Sequence, residues 1–119
     1  MKLRFIADSD LKRMKGLMFQ KPLEIDECAL FSFPYEGKHS FWNKNVDFPI
    51  TVIFCDKNKN IIDVKKLEAQ QKSGVSPKSY NVKYVLETHA DLYNKIKKDK
   101  KINLKDMEVF IDGIDTQSN

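Results

Sequence analysis

Residues 28–69, CALFSFPYEGKHSFWNKNVDFPITVIFCDKNKNIIDVKKLEA, decide the fold class. Short apolar runs rich in β-branched and aromatic residues alternate here with turn residues, and no helical spacing of three and four interrupts them. CALFSF reads as a strand that ends at Pro34, because proline cannot donate to a ladder. PYEGKH is a turn. SFWNKN and ITVIFCD read as two further strands separated by the bend VDFP, and KNKN is a tight polar turn into IIDVKKLEA. Strands that follow one another in this way form a meander and exclude a repeating βαβ chain.

On the N-terminal side, KLRFIA alternates as a strand, and Asp8 or Ser9 offers an N-cap to a short helix within DLKRMKGLMF. Leu11, Met14, Leu17 and Met18 recur at spacings of three and four, which predicts one apolar helix face. QKPLEIDE, with Pro22, is a connector. On the C-terminal side, QQKSGVSPKSYN (residues 70–81) lacks apolar periodicity and reads as a long loop. VKYVLET is then a strand, and Thr88 with Asp91 resembles a capping box opening the helix ADLYNKIKKD, whose apolar face is Leu92 and Ile96. His89 falls in the first turn of that helix. INL and MEVFIDGI are short strand material. The expected architecture is α+β: a compact, mainly antiparallel sheet, barrel-like in its curl, with two short helices packed on it. Residues 1–112 form one domain and residues 113–119 a flexible tail.

A chain of 119 residues suits one domain, and 41% hydrophobic residues are too many for a disordered chain. Its net charge of +4 is a modest excess. No run approaches the roughly 20 apolar residues of a membrane span, and acidic residues by position 8 leave no room for a secretion signal, so the expected location is cytoplasmic. Cys28 and Cys55 each sit in an apolar stretch, where free thiols behave as small hydrophobes.

No phosphate-binding glycine loop, dinucleotide fingerprint, HExxH, CxxC or GxSxG elbow is present. With two histidines and no closely spaced cysteines, neither a metal nor a cofactor is expected. The densest chemistry lies in HSFWNKNVDFPI, residues 39–50. Trp42 offers an aromatic plane and part of the core, Lys44 a point charge, and Asn45 a two-way hydrogen bonder. With His39 and nearby Arg13 these form the candidate ligand-binding set. The first functional expectation is an intracellular binding module for a small polar or anionic ligand, or for a partner segment. The second is a hydrolase-type enzyme in which His39 works with a carboxylate such as Asp56 or Glu87. The third is a nucleic-acid binder using the lysine-rich KIKKDKK stretch, weakened by a content of only two arginines, Arg4 and Arg13.

RMKGLMFQKPL, the central segment ALFSFPYEGKHSFWNKNVDFPITVIFCDKNKNIIDV, and YVLET together resemble the DUF192 (UPF0127) family. Its members carry a GLM-type start, an FWMKNT-type centre followed by proline, and a late Y-x-LE segment. Gly16, Leu17 and Met18 match the first motif; Phe41, Trp42, Lys44, Asn45 and Pro49 match the second. The resemblance implies a compact β-rich α+β domain and no assigned activity. Asn43 stands where methionine is usual, Val46 where threonine is usual, and Ile50-Thr51 where leucine and aspartate are common. KDKKI replaces a late glycine-aspartate.

Overall fold

The computed structural model of the chain describes residues 1–98. The expected strands INL and MEVFIDGI, the end of the lysine-rich stretch and the tail lie outside them. Five strands form one sheet: β1 (Lys2–Ala7), β2 (Glu27–Gly37), β3 (Ile50–Cys55), β4 (Ile61–Leu67) and β5 (Val82–His89). Their order is β1-β2-β5-β3-β4. β1 runs parallel to β2 and every other pairing is antiparallel. Among the described residues the sheet is open, with β1 and β4 at its edges, and does not close into a barrel.

This order corrects the expected meander. β3 and β4 form a hairpin, but β5 inserts between β2 and β3. β3, read as ITVIFC, is buried at every position, as a run without polar alternation requires when both sheet faces are covered. One face carries Ala29, Phe31, Val52, Phe54 and Val85 under the first helix and the 38–49 segment. The other carries Cys28, Leu30, Ile53, Cys55 and Leu86 with Ile96 of the second helix. Both cysteines are free and buried, and burial pushes their thiols up to about 12.

β2 does not end at Pro34. The strand continues to Gly37 because the register jumps from Ser32–Tyr84 to Gly37–Val82, and the proline sits inside that irregularity, where its missing N–H breaks no ladder bond. At the β3–β4 turn, Asp56 Oδ1 accepts the backbone N–H groups of Asn58 and Asn60, at 2.9 Å each, and Lys59 takes a φ of 69°.

Helix α1 spans only Asp10–Lys15, with Ser9 as its N-cap. Gly16 stops it: a φ of 46° turns the chain, and a Cβ there would lie 3.4 Å from the Phe31 ring. Leu17 therefore drops into the core, while Leu11 and Met14 stay exposed, so the four residues do not share one buried face. At the other end, His89 rather than Thr88 caps the following turn. Its Nδ1 accepts the Asp91 N–H at 3.0 Å, and a 3-10 turn over Ala90–Leu92 leads into α2 (Tyr93–Lys98). No helix among the described residues is long and apolar enough to cross a membrane.

Candidate functional site

SFWNKN is not a strand. Phe41 makes an isolated bridge to Val75, after which the chain turns through Asn43–Asn45 and returns to the sheet at Ile50. The reason is local. Asn45 has a φ of 62°, and its N–H and C=O are committed to Gln70 Oε1 (3.1 Å) and the Phe19 N–H (2.9 Å). Asparagine tolerates that backbone region better than most residues. We expect Asn45→Gly to be nearly neutral and Asn45→Ala to cost about 1 kcal/mol in chemical denaturation. Equal effects from both variants would show that the backbone angle is not the cause.

The turn is tied down by Asn43, which is 1% exposed. Its Nδ2 donates to the Phe48 and Glu68 carbonyls, both at 3.0 Å, and its backbone N–H to the Gln71 carbonyl at 2.7 Å. Two carbonyl partners fix the amide orientation, since a flipped amide would set oxygen against oxygen. Oδ1 is left buried with no hydrogen-bond partner.

Between this turn and α1 lies a cavity of about 260 Å³. Its walls are Gly16, Leu17, Phe31, Phe33, Phe41 and Val46, with Met14 and Trp42 also lining it. Glu87 reaches it from central strand β5, flanked in register by Ala29 and Val52. The glutamate is 3% exposed, and no hydrogen bond or ion pair among the described residues engages its carboxylate. Burial alone raises its pKa to about 8, because nothing compensates the charged form for lost water. Asn43 lines the same cavity. Glu87 and Asn43 thus line one hollow, with the Asn43 Oδ1 itself sealed from solvent.

Arg13, Lys15 and Lys44 line the same hollow. Arg13 donates to the Ser32 carbonyl at 2.6 Å, pairs with Asp10 at 2.9 Å and lies over the Phe33 ring at 5.2 Å. Lys44 Nζ is 5.5 Å from the Trp42 ring centroid, and Trp42 is 48% exposed. Of the residues singled out from sequence, the structure brings Arg13, Trp42 and Lys44 to the cavity. It places His39 and Asn45 outside the lining. Trp42 contributes less to the core than its size suggested.

His39 stacks on Phe33 with ring centroids 3.6 Å apart, and its Nε2 meets the Tyr35 carbonyl at 3.1 Å. No carboxylate is among its partners, Asp56 is spent on the hairpin turn, and Glu87 stands in the cavity. Among the described residues His39 meets no carboxylate, so neither Asp56 nor Glu87 forms the expected histidine–carboxylate pair. On α2, Lys95, Lys97 and Lys98 are exposed, with Lys97 Nζ on the Tyr93 hydroxyl at 2.9 Å. No group of three or more metal-ligating side chains occurs among the described residues.

The profile of DUF192, described as an uncharacterized ACR, matches residues 4–104. The chain belongs to the DUF192 family. No curated protein matches this DUF192 member. Among solved structures it resembles a protein of unknown function from Novosphingobium aromaticivorans, with a TM-score of 0.72 and 21% identity over 80% of this chain and 69% of that one. It also resembles a suggested transcription regulator from Sinorhizobium meliloti, with a TM-score of 0.69 and 23% identity over 77% of this chain and 71% of that one. At such identities these likenesses show a shared fold.

The departures from the family pattern now have places. Asn43 and Val46 both line the cavity, and Thr51 is buried on β3, donating its hydroxyl to the His89 carbonyl at 3.1 Å. Asn43 therefore changes the chemistry of the cavity wall, whereas Thr51 serves the strand-to-helix junction. From sequence, Glu87 stood out only as one of several carboxylates that could accompany a histidine, in general acid–base work or at a metal. The available signal was the alternation of VKYVLET, which places Glu87 on the same buried face as Val85.

Proposed function

We propose that this DUF192 domain is a binding module whose cavity, between α1 and the FWNKN turn, holds a small polar ligand. The observation that carries this reading is Glu87, a carboxylate only 3% exposed in the cavity wall, with no protein partner among the described residues. Buried polar groups are nearly always satisfied, and one that is not calls for a molecule to complete it. An unpaired acid on a central strand lowers stability, so its place there is best explained by a bound group that offsets the penalty. The hollow is concave and sets charged and polar side chains among apolar walls, which suits a small polar molecule. Its volume of about 260 Å³ lies just below the range of drug-sized pockets and fits a metabolite of few heavy atoms.

The test is a library of small polar metabolites screened by two-dimensional 15N NMR on the whole chain. Binding at this site perturbs the amides of Gly16, Phe41–Val46 and Glu87 together. Hits confined to the β4 edge or α2, or no hits at all, overturn the reading.

A further inference from the structure

Resting on that reading of the cavity, we propose that its ligand is a small amine carrying a separate anionic group, seated with its ammonium at Glu87 and its anion toward Arg13, Lys15 and Lys44. Both Nδ2 protons of Asn43 are spent on the Phe48 and Glu68 carbonyls and its Oδ1 is sealed from solvent, so the amide supplies no donor to the cavity. The ionised Glu87 carboxylate is acceptor-only as well. Ser40, the remaining hydroxyl of the lining, is paired with the Ser76 hydroxyl at 2.6 Å. Once ionised, Glu87 thus accepts and does not donate, and Asn43 has no free N–H to offer it.

A donor-only head group complements that carboxylate. An ammonium has three N–H bonds and no acceptor, and its charge neutralises the carboxylate in a site where water is scarce and attraction is strong. A hydroxyl carries one donor and leaves the carboxylate uncompensated. The other charged groups facing the cavity are donor-only: Arg13 and Lys15 from α1 and Lys44 from the turn. Asp10 offsets part of the Arg13 charge, at 2.9 Å. Three cations repel a bare amine and attract a carboxylate, sulfonate or phosphate. One molecule with both ends meets both sets. A divalent metal fits poorly, since a single carboxylate and one amide oxygen fall short of its usual ligand count.

The acid's raised pKa gives this arrangement a signature. Glu87 holds its proton at pH 7, and an ammonium drawn against it expels that proton to solvent. Calorimetry on the whole chain, in buffers of different ionisation enthalpy, uses ω-amino acids of two to six carbons against the matching ω-hydroxy acids and the monoamides of the matching dicarboxylic acids. At least one amino acid is expected to bind about tenfold or more tighter than its hydroxy and amide counterparts, releasing close to one proton at pH 7 and almost none at pH 9. Glu87→Gln, which keeps the shape of the side chain, is expected to abolish the release and erase the preference for the amine. Tighter binding of the hydroxy or amide probes, or amine binding with no proton release, overturns the ligand class while leaving the cavity reading intact. Failure of all three series overturns the ligand class, and the NMR screen then decides independently whether the cavity binds anything.

Discussion

Replacing Glu87 by glutamine stabilises the unliganded domain at alkaline pH, by an amount that grows from near zero at pH 4.5 to roughly 5 kcal/mol above pH 8. The sign follows from proton counting. In the unfolded chain the glutamate titrates near its ordinary value of 4.5, whereas in the folded chain burial holds it to about 8. Between those values the native state binds one more proton than the unfolded state, so stability falls as pH rises through that window and levels off above it. Below pH 4.5 the direction reverses, because Arg4 and the Glu24 N–H hold Glu27 below the usual carboxylate range, and protonating it on acidification removes a favourable pair. Urea denaturation of the parent and Glu87→Gln at pH 5 and pH 8.5 measures the difference directly. Parallel pH profiles for the two proteins would mean that the carboxylate is hydrated or paired. Since an ordinary domain has only about 5–15 kcal/mol in hand, the effect is large enough to move the midpoint visibly.

The strands were legible because burial writes itself into local sequence. ITVIFC is apolar apart from Thr51, has no polar alternation to face water, and all of it is buried. The order of the strands was not legible in the same way. β5 separates β2 from β3 through pairings such as Ala29–Glu87–Val52, which join residues distant in sequence, and no local periodicity encodes them. Proline as a strand stop also misled at Pro34, where a register irregularity accommodates the ring.

The site was legible in half. The density of chemistry in HSFWNKNVDFPI drew attention to the stretch beside the cavity, which Arg13, Trp42 and Lys44 line. The aromatic content of the stretch suggested a strand. The turn wins because Asn45 adopts a positive φ and Asn43 trades a ladder for three hydrogen bonds to the 48 and 68–71 backbone. The decisive polar group, Glu87, comes from a strand far along the chain, and only the folded sheet brings it beneath that turn.

Asn43→Ala is expected to destabilise the domain by about 3 kcal/mol, more than any surface change in the same turn. Truncation removes the donors to the Phe48 and Glu68 carbonyls and leaves both acceptors short of a partner. Each such loss typically costs about 1–3 kcal/mol when buried. Asn43→Asp is expected to be worse, since an ionised carboxylate would face two carbonyl oxygens with no proton to offer them, in a position that is 1% exposed. The aspartate variant should recover at acid pH, where its protonated form can donate to one of the two carbonyls; alanine cannot. The contrast separates the hydrogen bonds from mere packing: a methyl-sized hole costs the same at every pH, while a misplaced charge does not. Denaturation curves for both variants at pH 4 and pH 7 read it out. If Asn43→Ala loses less than about 0.5 kcal/mol, the two carbonyls find water instead, and the turn that carries Trp42 and Lys44 is held by its backbone bonds alone.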